Sequence, residues 1–249
     1  MSQSLTDLNT LKLDASCERL VEVANVSQLE QLLPMKNLLV LGGGSNILFC
    51  QHFNGTVLLN KILGCDFSQD DDFHYISVGS GESWHQLVMT CCHQGIGGLE
   101  NLALIPGSVG AAPIQNIGAY GVELANVCVS VEAYSLASGQ KNSFSNTQCQ
   151  FGYRDSMLKR SRDYFVTRVH FKLAKNWLPQ LGYGELKLWA EQLSEKPNPL
   201  DVANQIIAIR QAKLPNHLAT PNAGSFFKNP VVSQHLAQTI LDKYPDCPQ

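Results

Sequence analysis

The sequence predicts an α+β protein, on three observations. Its N-terminal stretch reads β-α-β-loop-β and closes near Leu63. Trp84, Leu87, Val88, Cys91 and Cys92 fall at i, i+3, i+4, i+7 and i+8, the apolar stripe of a helix over 82–94 that Gly95 stops. Phe165, Thr167, Val169, Phe171 and Leu173 alternate with Val166, Arg168, His170 and Lys172, the period-two pattern of a half-buried strand.

The elements follow in order. Arg19-Leu20-Val21-Glu22-Val23 alternates as a first strand. Ser27 is placed to cap a short helix over 28–33, which Pro34 closes. Residues 38–41 form the next strand, a glycine loop follows, and Ile47-Leu48-Phe49 reads as a strand beyond it, with another over 56–59. Asp70-Asp71-Asp72 is a solvated break, and 74–79 is a strand. Segments 127–136 and 140–144 flank Ala137-Ser138-Gly139 as a hairpin. Residues 199–213 form a helix with Pro199 near its start, and a last helix covers 233–243. The predicted units are 1–63, 64–213 and 214–249, the last too small to hold its own core.

Composition narrows the function. With 44% hydrophobic residues in 249, a sizeable core is expected and disorder is not. A net charge of −3 without a basic block leaves no footprint for nucleic acid. No apolar run approaches the roughly 20 residues of a membrane helix, and Met1 to Asp7 carry no secretory signal. The eight cysteines lack a C-x-x-C pair and are spread through apolar segments, as reduced core thiols are, so a cytoplasmic protein is expected. His85, Cys91, Cys92 and His93 carry metal-ligating groups, but a core helix is the stronger reading and no metal is expected.

Two glycine-rich stretches carry the chemistry. Gly42-Gly43-Gly44 can point several N–H groups into one concavity and hold a phosphate without lysine or arginine; a tight turn is the plainer alternative. Ile47 stands at the third glycine position of a dinucleotide fingerprint, and there is no Gly-Lys pair for a P-loop. Ala223-Gly224-Ser225-Phe226-Phe227 is no nucleophile elbow, because Phe227 replaces the second glycine. The second stretch, 105–121, holds four glycines and three alanines. It suits either a flat ring system lying against the backbone or a close-packed structural loop.

These two stretches, with Phe151-Gly152-Tyr153-Arg154-Asp155-Ser156 and Asn222-Ala223-Gly224-Ser225-Phe226-Phe227-Lys228-Asn229-Pro230, resemble the UDP-N-acetylenolpyruvoylglucosamine reductase family from about Leu11 to the end of the chain. The resemblance implies a two-subdomain FAD-binding module of the vanillyl-alcohol-oxidase type, followed by an incomplete α/β substrate domain. It implies hydride transfer from NADPH through FAD to the enolpyruvyl group of UDP-N-acetylglucosamine enolpyruvate, giving UDP-N-acetylmuramate for peptidoglycan synthesis. Gly42, Gly43, Gly44, Ser45 and Asn46 would hold the FAD pyrophosphate. Gly107, Ser108, Gly110, Ala111, Gln115, Asn116, Gly118 and Tyr120 would line the flavin. Arg154 matches the family's active-site arginine and Ser225 its proton donor, while Tyr153, Tyr183, Lys213 and Asn229 fall at substrate-contacting places. A monomer acting on a small molecule is expected, with no nucleic-acid or membrane partner. Read without the resemblance, Arg154 is a surface partner of Asp155 and Ser225 a turn hydroxyl.

The family's third catalytic group, a glutamate near its C-terminus, has no counterpart before Gln249. The expectation is a fragment or truncated form, with uncovered apolar surface and lowered or absent activity. Two alternatives stand beside the reductase: another FAD oxidoreductase with the same cofactor subdomains, or a non-catalytic flavin- or nucleotide-binding remnant.

Overall fold

The structure, a computed structural model, describes residues 2–225, 227–245 and 247. The N-terminal unit is a four-stranded sheet of β1 (Gln3–Ser4), β2 (Ser16–Val23), β3 (Leu38–Leu41) and β4 (Phe53–Asn60), in the order β1-β2-β4-β3. Strands β2 and β3 both run parallel to β4, which requires a crossover between them. Helix α1 (Val26–Leu32) supplies it. Its cap is Asn25 and not Ser27: the Asn25 carboxamide oxygen accepts the Gln28 N–H at 2.9 Å.

Beyond the glycine loop the expected strand at Ile47-Leu48-Phe49 does not form. Ile47 and Phe49 instead pack on Leu5, Leu41 and Leu59. Their apolarity serves a core and not a ladder.

The second unit opens with β5 (Cys65–Gln69), β6 (Phe73–Gly79) and α2 (Trp84–His93). A small ribbon, β7 (Gly118–Ala119) with β8 (Val122–Glu123), leads to the hairpin β9 (Cys128–Ser135) and β10 (Lys141–Ser145). Short helices α3 (Asn146–Cys149) and α4 (Met157–Ser161) precede the long strand β11 (Tyr164–Ala174). The sheet is antiparallel throughout, in the order β10-β9-β11-β6-β5. Ser83 caps α2, which buries the predicted stripe of Trp84, Leu87, Val88, Cys91 and Cys92. Burying each large apolar side chain of that stripe contributes about 1.5–3 kcal/mol.

The two sheets share a core. Val23, Leu29, Leu58 and Ile62 from the first pack with Tyr134, Leu136 and Phe165 from the second. The Tyr134 hydroxyl also donates to Glu30 at 2.6 Å. Helix α5 (Gly184–Ala190) then leads to α6 (Pro199–Lys213), whose capping box pairs Asn198 with Asp201 and whose Val202, Ala203 and Ile206 join the core beside α2. Helix α7 (Gln234–Lys243), capped by Ser233, buries none of its residues. Residues 214–224 are tied back to the first unit by the Asn222 N–H, which donates to Thr10 O at 3.1 Å.

Candidate active site

The two glycine-rich loops, far apart in sequence, are pressed against each other. A Cβ on Gly43 would stand 2.9 Å from the Gly107 Cα, and one on Gly42 would stand 2.5 Å from the Ser108 hydroxyl. Gly44, at φ +65°, leaves no room for a side chain beside Leu8 O. The Asn46 amide donates to the Gln115 carboxamide at 2.8 Å, pinning one loop to the other. Together they wall a cavity of about 810 Å³, which Gly42–Asn46, Gly107, Ser108, Gly110, Ala111 and Gln115 line with Trp84. The N–H groups of Gly43, Gly44, Ser45 and Asn46 donate to no acceptor among the described residues. Consecutive amides left open in this way are the groups from which an anion-binding nest is built.

Of the expected flavin-lining residues, Asn116, Gly118 and Tyr120 are not part of the cavity lining, although Gln115 and Ile117 beside them are. The fully buried Asn116 donates to Glu123 and Gly152 O and accepts the Ala125 N–H, so its hydrogen-bonding capacity holds its own loop. Gly118 O accepts from the Arg154 guanidinium. Tyr120 lies edge-on to Tyr183 at 6.1 Å.

Arg154 is not the partner of Asp155. Asp155 pairs with Arg160, whose hydrogen bond draws the carboxyl below its usual range. Arg154, in left-handed backbone at φ +55°, reaches over Tyr153, with its guanidinium carbon 5.3 Å from the ring centroid. Lys228 Nζ lies 5.2 Å from the same ring. The loop that bears Ser225 is thus held at both ends. Asn222 is bonded to Thr10, whose own N–H donates to Gly44 O at 3.1 Å, and Lys228 sits on Tyr153 beside Arg154. Ser225 is exposed midway between these anchors. Lys213 forms an ion pair with Glu185 at 3.0 Å, next to Tyr183, and Asn229 is exposed.

Comparison with known proteins decides what this arrangement belongs to. Residues 18–141 match the family described as FAD binding domain. The UDP-N-acetylenolpyruvoylglucosamine reductase of Pasteurella multocida is 46% identical over 99% of this chain and 73% of its own length. That of Yersinia pestis is 45% identical over 98% and 72%. The chain belongs to the UDP-N-acetylenolpyruvoylglucosamine reductase family. The solved reductase of Thermus caldophilus superposes with a TM-score of 0.69 at 25% identity, over 96% of this chain and 79% of that one. A solvent-stable cholesterol oxidase shares the fold alone, with a TM-score of 0.52 at 11% identity. The fold is that of a vanillyl-alcohol-oxidase-type FAD-binding module, and the matched segment 18–141 spans most of the first sheet and part of the second.

The residues present fit the family's cofactor. The cavity lies within the roughly 300–1,000 Å³ of small-molecule sites, and the open amides of Gly43 to Asn46 suit a diphosphate.

Two cations without a motif to mark them also line the cavity, Lys159 on α4 and Arg162 at its end. Lys159 Nζ donates to Arg154 O at 2.9 Å, whereas Arg162 has no carboxylate partner among the described residues. Replacing the exposed Arg162 by methionine is expected to weaken FAD binding about 2–5-fold, the worth of one screened charge. Titration by quenching of FAD fluorescence checks this, and the apoprotein should melt unchanged.

His85, set aside as a metal candidate, accepts the Leu104 N–H on Nδ1 at 3.1 Å. Cys91 and Cys92 beside it are core thiols, and burial pushes the Cys92 thiol up to about 12. Burial first, and then the charge of Arg210, lower the His85 pKa below its ordinary 6.5. In the unfolded chain the imidazole takes a proton as pH falls through about 6.5, before the folded protein does. Its contribution is therefore complete above that pH and declines below it. Denaturant midpoints between about pH 6.5 and 5.5 should fall with acid, and His85→Asn should flatten that slope.

Proposed function

We propose that the protein reduces the enolpyruvyl double bond of UDP-N-acetylglucosamine enolpyruvate, with NADPH as the electron source, to give UDP-N-acetylmuramate. The observation carrying this reading is the placement of Ser225, on a loop anchored to the glycine nest at one end and to Tyr153, beside Arg154, at the other. FAD, when bound, supplies the hydride-transfer chemistry. The open amides of Gly43 to Asn46 would hold its diphosphate, and Arg162 would add positive charge at the cavity wall.

Arg154 faces the charge that develops on the substrate. Reduction at the methylene carbon leaves an electron pair shared between the neighbouring carbon and the carboxylate. A planar guanidinium matches that carboxylate in geometry and stabilises the charge as it grows. Gly118 O already holds the guanidinium in one orientation, so little reorganisation is needed.

Ser225 Oγ then gives its proton to the carbon next to the carboxylate. A hydroxyl is a weak acid, but the centre it meets is a strong base, so the transfer is downhill. Lys228 brings a second cation to this loop. Tyr183, Lys213 and Asn229 extend the same surface toward the sugar nucleotide, and Lys213 must exchange Glu185 for a phosphate to take part. We place the protein in the cytoplasm as a monomer, in keeping with the buried thiols Cys91, Cys92, Cys128 and Cys149.

An anaerobic titration tests the reading. Stoichiometric NADPH should bleach the flavin of the loaded protein, and the enolpyruvyl substrate should restore its colour with UDP-N-acetylmuramate as product. A flavin that NADPH reduces but that only oxygen reoxidises would count for the remnant reading and against this one.

A further inference from the structure

Leu104 adopts left-handed backbone, at φ +59°. That conformation costs a non-glycine residue about 1–2 kcal/mol and persists only when its surroundings hold it. Both of its peptide groups are held. His85 Nδ1 accepts its N–H at 3.1 Å, and the Arg210 guanidinium donates to its C=O at 3.5 Å. The neighbouring Trp84 grips the same segment twice more. Its indole N–H donates to Leu102 O at 3.0 Å, and its backbone N–H donates to Gly107 O at 3.1 Å. The first turn of α2 and the last turns of α6 thus converge on 102–107. Two residues beyond Leu104, Pro106 and Gly107 enter the cavity wall.

We infer that His85 and Arg210 are positioning residues for FAD: they clamp Leu104 in its left-handed state, and so fix the path of the Pro106–Ser108 loop against the cofactor. The inference rests on the reading of the cavity as the FAD site. Two details favour a clamp over ordinary packing. Leu104 is only half-buried, so its side chain does not impose the backbone. Arg210 has a buried Nε–H without an acceptor and no carboxylate partner among the described residues, so its placement is not explained by an ion pair. Released from the clamp, Leu104 would spend much of its time in other conformations. The apparent dissociation constant for FAD rises as the inverse of the fraction of time the wall is correctly placed.

The acceptor role fixes the histidine's tautomer. Nδ1 must carry the lone pair and Nε2 the proton. Asparagine places its Oδ1 where His85 has Nδ1, so His85→Asn keeps the acceptor and His85→Leu removes it. His85→Leu is expected to raise the FAD dissociation constant about 5–10-fold, the worth of one hydrogen bond at a strained site. It should also speed exchange of the Leu104 amide about tenfold, while His85→Asn restores both to within about twofold. Arg210→Met should act in the same direction. In a Leu104→Gly background, where the backbone takes positive φ without help, His85→Leu should cost less than about twofold.

Unchanged Leu104 exchange in His85→Leu, or an equal FAD loss with and without Leu104→Gly, overturns the clamp. If His85→Leu does not fold, the wild-type protein decides through its long-range nitrogen–proton NMR spectrum: an Nδ1–H tautomer overturns the proposal and an Nε2–H tautomer supports it. If the wild-type protein does not take up FAD at all, the reading of the cavity fails, and the amide exchange still judges the clamp on its own.

Discussion

Ser225→Ala is expected to leave reduction of the flavin by NADPH within about twofold of wild type and to slow reoxidation by the enolpyruvyl substrate about 10²–10⁴-fold, the span of a positioned acid. The separation follows from where the proton is needed. Electrons entering from NADPH require no proton donor on the substrate carbon, and electrons leaving to the substrate do. Ser225 is exposed and makes no side-chain hydrogen bond among the described residues, so its loss should change stability by less than about 0.5 kcal/mol. Stopped-flow measurement of the two half-reactions on the same preparation makes the comparison internal. Equal slowing of both would mean that the 222–228 loop shapes the cofactor site and that the proton comes from elsewhere. Full speed in both would remove Ser225 from the chemistry. Ser225→Thr retains the hydroxyl and should recover part of the loss.

What could be read ahead of the structure follows from where the burial lies. Helix α2 and strand β11 were legible because each buries one face, and a one-sided core writes its period into the sequence. Strand β5 was not. Cys65 to Gln69 form an edge that is exposed throughout, so no alternation is imposed. Ile47 to Phe49 misled in the opposite sense, since apolar residues that pack as irregular chain look the same as a short strand. In the site, the glycine loops were legible because close backbone approach admits no other residue. Their mutual contact was not, because Gly43 and Gly107 meet only through the fold. Nor does a glycine-rich stretch tell which of its side chains hold the loop itself: that Asn116 bonds Glu123, Gly152 and Ala125 shows only in the fold. Arg162 carried no local signal, and His85 carried only that of a metal ligand on a helix face. An arginine after a short helix and a histidine on a helix face are unremarkable until the strand or loop they reach is known.

Gly44→Ala is expected to produce the largest single loss of cofactor affinity from a change that removes no functional group. At φ +65° an alanine costs about 1–2 kcal/mol before any contact is counted. Its Cβ would then lie 1.9 Å from Leu8 O and 2.8 Å from the Leu8 carbonyl carbon, both backbone atoms that cannot rotate away. The chain must separate the glycine loop from 8–10, which breaks the bond from Thr10 N–H to Gly44 O, worth about 1 kcal/mol. The total is about 2–3 kcal/mol, or a fall of about 4–12 °C in Tm for a protein of this size. FAD binding should weaken about 100-fold as the open amides of Gly43 to Asn46 turn out of register. Gly121→Ala separates strain from collision. Gly121 has φ +80° with nothing within 4 Å of its Cβ position, so alanine there bears only the conformational cost and should leave FAD affinity within about threefold. The two variants compared by thermal melting and FAD titration therefore distinguish a loop that merely needs glycine's backbone from one that needs the contact with Leu8. Thr10 also accepts the Asn222 N–H, so separation of 8–10 from the glycine loop should reach the segment bearing Ser225. Exchange of the Asn222 amide should quicken in Gly44→Ala and stay unchanged in Gly121→Ala. If it stays slow in both, the nest and the proton donor are held independently, and the anchoring of Ser225 through Thr10 is not what places it.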